Sequence, residues 1–350
     1  MDSHAHDHDH GHEPGEEDPV LVEYVRGDMV ESRHRGSALI VDHAGRVLER
    51  WGDTARPVYA RSALKPIQAI PLVESGAAGQ FDLSDAEIAL ACASHGGETR
   101  HVETVARWLD RIGLGVADLE CGAHPPLYAP AAEALYAAGQ KPTALQNNCS
   151  GKHTGFLSTA VHKGEKTKGY IRLDHPVQQR ILGILEQLAE VDLQNAPKGI
   201  DGCGIPVIGL PLERLAFAFA RMARPAGLPK PRIAAIARIR KAMSAEPFMV
   251  AGSGRSCTRL MGRFGERLQV KMGAEGVFVA MLPDKGIGIA LKMADGANRA
   301  AEIAMLALLR RAGLYDAAVE RELAEAGSGI VHNVVGREVG TIRPAAALQA

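Results

Sequence analysis

Ser62 and Lys65 stand one helical turn apart in the segment "YARSALKPIQA", residues 59–69. A serine attacks a carbonyl only when a base takes its proton, and a lysine can be that base only as a neutral amine. Bringing a lysine from its ordinary pKa to neutrality costs about 4 kcal/mol, so the role calls for burial or a second cation close by. Two other stretches offer partners. "ASHGGE" puts Ser94 before two glycines, which permit close backbone approach and can turn N–H groups toward an anionic oxygen. "QVKMGAEG" places Lys271 within or at the end of a β-run. Pro66 disfavours the helical region for the residue before it; with Ser62 as an N-cap, backbone strain is expected at Lys65.

A second constellation lies in "NNCSGKHTGF", "IDGCGIP" and "GSGRSCTR". With Ser150 as an N-cap, Cys149 falls just outside a helix and Lys152 in its first turn. Asp201 and Cys203, two apart in an expected extended stretch, would face one side. Together with Cys257 they offer thiolate and carboxylate ligands of the kind zinc accepts. No C-x-x-C pair is present, and buried inert cysteines are the simpler reading of the spacing alone. Cys92, on the apolar run "IALACA", and Cys121, in "ECGAHPP", are expected in the core and in a turn.

These residues need elements to hold them. "VLVEYV" and "SALIVDHAGRVLERW" read as strands, the second folding into a hairpin at Ala44-Gly45. Ser84 and Glu87 form a capping box ahead of "AEIALACA". Amphipathic helices follow in "ETRHVETVARWLDRIG", "HPVQQRILGILEQLAEVD" and "KPRIAAIARIRKAM", the last with its charges on a solvated face. Three β-rich runs, "RLQVKMG", "GVFVAML" and "GIGIALKM", precede a closing helix, "NRAAEIAMLALLRRAG". Strands at both ends and helices between them imply an α+β fold, one sheet built from the two termini with a helical lobe in the middle. Residues 1–18, rich in alternating His and Asp, cannot offset their ordering entropy by burial and are expected to be a disordered tail; 19–350 would form a single catalytic domain.

Composition narrows the function classes. The formal net charge of -1 and the scatter of basic residues give no electrostatic footprint for nucleic acid. No window approaches the ~18 to 20 apolar residues of a membrane span. Five widely spaced cysteines do not form a disulfide framework, so a cytoplasmic home is expected. "CSGKHT" fails the phosphate-loop pattern at Gln146 and at His153, and "GSGRSC" breaks the dinucleotide fingerprint at its last glycine.

The order Ser62-x-x-Lys65, Ser94-His95-Gly96, Lys271-Met272-Gly273 parallels the S-x-x-K, S-D-N and K-T-G elements of serine β-lactamases and penicillin-binding proteins, with departures at two of the three. "RSALKP", "CASHGGE", "NNCSGKHTG", "DGCGIP", "GSGR" and "KMGAEG", taken together and in this order, resemble the rhizobial-type, class 3, zinc-associated L-asparaginases. The resemblance runs from about Val20 to Pro344. It implies a serine β-lactamase-like fold, with a central antiparallel sheet flanked by helices, and hydrolysis of the L-asparagine side-chain amide. It also implies Ser62 as nucleophile with Lys65, Ser94 and Lys271 in one catalytic network, and Arg61, Gly97, His153 and Asp201 near the substrate. Cys149, Lys152 and Cys257 match its metal positions, for Zn2+ in a supporting role, and a homodimer is expected. Two alternatives stay open: another Ser-Lys amide hydrolase, acting on glutamine or a β-lactam, and a metal-binding or thiol redox sensor.

Overall fold

The computed structural model describes residues 18–349, so the His-rich segment 1–17 lies outside the described residues. Asp18, expected in the tail, is buried and accepts hydrogen bonds from Ser37 Oγ at 2.6 Å and Arg56 Nη2 at 2.7 Å.

The chain opens with β1 (Val20–Arg26), β2 (Met29–Asp42) and β3 (Val47–Trp51), two successive antiparallel hairpins. The second turns at Gly45, as its Ala-Gly signal predicts. A short β4 (Pro57–Tyr59) leads into the Ser62 turn. After a run of helices come β5 (Lys198–Ile200) and β6 (Pro206–Pro211), and later β7 (Gln269–Met272), β8 (Val277–Leu282) and β9 (Ile287–Met293). β10 (Ile330–His332) and β11 (Glu338–Pro344) are the last strands, and they follow the helix Asn298–Arg311 that was expected to close the chain.

Seven strands run in the order β10-β11-β1-β2-β9-β8-β7 with β3 also paired to β2, all antiparallel, so one sheet joins both ends of the chain. All six residues of β8 are buried, which requires cover on both faces of the sheet. The helix Leu212–Ala223 packs on β2, β8 and β9, and the helix Asn298–Arg311 on β1, β8, β9 and β11. The fold is thus mixed α/β, a central antiparallel sheet flanked by helices, with the helices between β4 and β7 forming the middle of the chain.

Helix signals translate closely. Ser84 and Glu87 form the reciprocal capping box ahead of the helix Asp85–Ala91, and the three long amphipathic segments become Thr99–Arg111, Pro176–Ala189 and Lys230–Ala245. Two features differ. In Lys230–Ala245 the charged face is not wholly solvated: Arg232 is buried and bonded to Glu74 and Gln187. In the small sheet β4-β6-β5, β4 and β5 have three residues each, too short for any periodicity to announce.

Candidate active site

Four segments converge on the site. The first is the turn after β4, where Arg61–Leu64 forms a 3-10 turn running directly into the short helix Lys65–Gln68. The strain expected at Lys65 lies elsewhere. Lys65 is helical at φ -56°, ψ -36°, while Arg61 holds φ +51°. That left-handed value costs a side-chain-bearing residue on the order of 1–3 kcal/mol. β7 packs against this turn from its Lys271 end. A Cβ on Gly273 would lie 2.7 Å from Ala60 O and 3.2 Å from Ala63 N, so only glycine lets the two backbones meet here.

The third segment, residues 94–97, is fixed on both sides. Ser94 N donates to Val250 O and His95 N to Asn148 O. The fully buried His95 accepts from Gly97 N at 3.1 Å, so its Nε2–H donates to Ser150 Oγ at 2.9 Å. Burial holds His95 neutral, its pKa well below the ordinary value. Glu98 accepts from Ser253 N at 2.8 Å and Ser253 Oγ at 2.6 Å, tying this loop to the "GSGR" turn.

The fourth segment is the helix Ser150–Lys163, with Cys149 as its N-cap. Facing it is the β5–β6 turn, which carries Asp201 and Cys203. These two sit in a tight hairpin turn rather than an extended stretch: Gly204 N donates to Asp201 O at 2.8 Å. Because β6 also pairs with β4, the turn lies beside Ser62, and Arg61 binds Asp201 in bidentate fashion at 3.1 and 3.2 Å.

The centre is a buried hydrogen-bond chain. Ser94 Oγ lies 3.0 Å from Lys65 Nζ and 3.0 Å from Lys271 Nζ. Lys65 also donates to Ala93 O at 2.5 Å and Cys149 Sγ at 3.0 Å, and Lys271 to Met272 O at 2.7 Å. Burial lowers both lysines, Lys271 to about 7. For Lys271 the nearby Lys65 and Arg255 cations push the same way, against the Cys257 and Cys149 sulfurs. The Arg255 guanidinium has no hydrogen-bond or ion-pair partner among the described residues. Ser62 lines a narrow cleft with Arg61, Lys65, Gln68, Lys152 and Asp201, walled by Ile205 to Ile208. Its hydroxyl has no hydrogen bond among the described residues, which leaves it free toward the cleft.

Next to this chain lies a second cluster. A hydrogen bond from Cys203 holds Cys149 well below the ordinary thiol pKa, aided by Lys152 and Lys65, and the same bond pushes Cys203 up. Of the two sulfurs, Cys149 is therefore the one whose surroundings favour the charged form. Lys152 Nζ lies 3.0 Å from Cys203 Sγ. Burial pulls Lys152 down, but Cys149 and Cys203 outweigh it and raise its pKa.

The thiol beside Lys152 and Cys149 is therefore that of Cys203, whereas Cys257 Sγ accepts from Met272 N at 3.3 Å on the Lys271 side. Among the described residues no three His, Cys, Asp or Glu side chains form a metal-sized group. Cys149, Cys203 and Lys152 nevertheless supply two sulfurs and a nitrogen, a set zinc accepts once the lysine gives up its proton.

Of the residues expected near a substrate, Arg61 and Asp201 line the Ser62 cleft. Gly97, at φ +74°, lines a separate groove with Pro126 and Gln146. His153 is wholly buried. His153 Nδ1 is hydrogen-bonded at 2.7 Å to Tyr170 OH, which also accepts from Glu120 N, and His153 Nε2 is buried without a partner among the described residues. Gln68 and the Glu98–Ser253 clamp carried no signal in the sequence. Cys203 did, through its spacing from Asp201.

A family model described as L-asparaginase II matches residues 22–344. No curated protein matches the sequence. Among solved structures the chain is similar to a β-lactamase from Mycobacterium bovis, at TM-score 0.40 and 15% identity over 79% of this chain and 94% of that one. It is also similar to a D-alanine carboxypeptidase from Burkholderia cenocepacia, at TM-score 0.35 and 13% identity over 78% and 93% of the two chains. A simvastatin synthase mutant from Aspergillus terreus follows at TM-score 0.37 and 14% identity over 83% and 91%. With its family match spanning nearly the whole described chain, this protein belongs to the L-asparaginase II family.

Proposed function

We propose that the chain hydrolyses the side-chain amide of L-asparagine to L-aspartate and ammonia, with Ser62 as nucleophile. The observation that carries this is the buried Lys65–Ser94–Lys271 chain beside the Ser62 cleft, in a member of this family. With Lys271 neutral, Ser94 donates its hydroxyl proton to Lys271 and receives one from Lys65. Lys65 is left with a lone pair, one turn from Ser62, and takes the Ser62 proton as Oγ attacks the amide carbon. The same chain run in reverse returns a proton to the leaving amine, which departs as ammonia. Water then cleaves the acyl-serine, its proton following the same route.

The Arg61–Asp201 pair offers both charges an amino-acid head group needs, a guanidinium for the carboxylate and a carboxylate for the ammonium. A zinc ion, where bound, would be held by Cys149, Cys203 and deprotonated Lys152 and would supply positive charge beside the cleft. With serine as the nucleophile, the metal's part would be support and orientation.

The test is ammonia release from asparagine by wild type and Ser62→Ala, with metal content measured on the same samples, beside glutamine and a chromogenic β-lactam. Activity on asparagine that vanishes in Ser62→Ala is expected. No release at millimolar asparagine defeats the proposal, and preferential turnover of glutamine or the β-lactam reassigns the substrate. Activity that survives Ser62→Ala would favour a metal or thiol function.

A further inference from the structure

Gln68 presents an unusual surplus. It ends the short helix begun by Lys65, is only 8% exposed, and forms part of the wall of the Ser62 cleft. Its Oε1 is buried without a hydrogen-bond partner among the described residues, and no bond to its Nε2 is present either. An unmet acceptor in the interior is costly, and such groups are rare enough in folded proteins that each calls for a cause. A leucine or methionine would fill the same volume without that cost.

Apart from Ser62 itself, the other polar side chains lining the cleft are charged. Arg61 and Asp201 match the two ends of a zwitterionic amino acid, while Lys65 and Lys152 are committed to Ser94, Cys149 and Cys203. Gln68 is the neutral polar group left, and the neutral part of such a substrate is its carboxamide, the group that must meet Ser62. Building on the asparaginase function proposed above, we infer that Gln68 is a specificity residue: its Oε1 accepts an N–H from the carboxamide that is cleaved. A carboxylate in the same place has no proton to offer and would meet the partial negative charge of the Gln68 oxygen. The contact therefore favours the amide over the acid product and helps aspartate leave.

Gln68→Met tests this without changing volume or charge. KM for L-asparagine should rise roughly three- to tenfold, the worth of one neutral hydrogen bond, while the inhibition constant of L-aspartate stays unchanged or falls. The melting temperature should hold or rise, because the variant removes an unmet polar group. Equal weakening of asparagine and aspartate would place Gln68 at the α-amino end and overturn the assignment, as would an unchanged KM. If Gln68→Met does not fold, Gln68→Asn, too short to reach, gives the same comparison of KM with the aspartate inhibition constant. A wild-type enzyme that releases no ammonia from asparagine overturns the function itself, whereas an active wild type with an unaltered Gln68→Met KM overturns only the role of Gln68.

Discussion

Lys271 is 1% exposed and Lys152 is 2% exposed, and both belong to the same buried region. Burial lowers Lys271 to about 7 but fails to lower Lys152, whose pKa is raised. The difference lies in the neighbours. Lys271 meets a hydroxyl and a carbonyl as ligands and has the cations Lys65 and Arg255 nearby. Lys152 meets the Cys149–Cys203 pair, with Asp201 adding negative charge. Removing a lysine from water therefore creates a base only where burial and nearby cations outweigh the sulfurs and carboxylates around it. Lys65 bridges the two settings, touching Ser94 on one side and Cys149 on the other.

The largest break in this comparison comes from the nucleophile. Ser62→Ala should lower kcat on asparagine by on the order of 10^4-fold or more, since removing a covalent nucleophile leaves only binding and electrostatic assistance. Steady-state ammonia release measures it. Lys271→Met comes next, with a fall in kcat/KM on the order of 10^2- to 10^4-fold, the usual worth of a positioned base. If the two lysines are as different as their surroundings imply, kcat/KM of the wild type falls as pH drops through about 7, where Lys271 gains its proton. The sign follows from the base being the neutral amine: activity is present above that pH and lost below it. A flat profile between pH 6 and 8 would remove Lys271 from the role.

The sequence carried this contrast only in part. Ser62, Lys65, Ser94 and Lys271 were legible because their chemistry is encoded in types and order, and the sheet's construction from both termini followed from where the β-rich runs fall. What decides the charge of each lysine was not legible. For Lys152 it depends on the β5–β6 hairpin turn being drawn to β4, a contact between residues 57–59 and 209–211 that no local pattern reveals. For the same reason Cys203, rather than Cys257, came to lie beside Lys152. The two thiols are equally plausible donors by type, and only the fold separates them. The strain moved from Lys65 to Arg61 because the short helix accepts Pro66 in its first turn, where a missing N–H costs nothing.

A smaller effect should follow at the second cluster. Chelation should raise KM for asparagine more than it lowers kcat, because the Cys149–Cys203–Lys152 group adjoins the cleft while the proton chain runs through Ser94. Kinetics before and after dialysis against a chelator, with circular dichroism to confirm the fold, check this. Complete loss of turnover at saturating asparagine in a folded, metal-free enzyme would make the metal directly catalytic and erase the distinction between the clusters.

The finest test concerns Arg255. It begins the helix Ser256–Phe264, whose Cys257 sulfur binds the backbone beside Lys271. As a cation with no partner among the described residues, it disfavours a second positive charge on Lys271. Arg255→Met should therefore let Lys271 keep its proton to higher pH, moving the lower limb of kcat/KM upward by on the order of a few tenths of a pH unit, as expected for a screened, partly exposed charge. Arg255→Lys should restore the wild-type limb. A downward shift would mean that Arg255 supports the proton on Lys271, and the low pKa would then rest on burial and Lys65 alone.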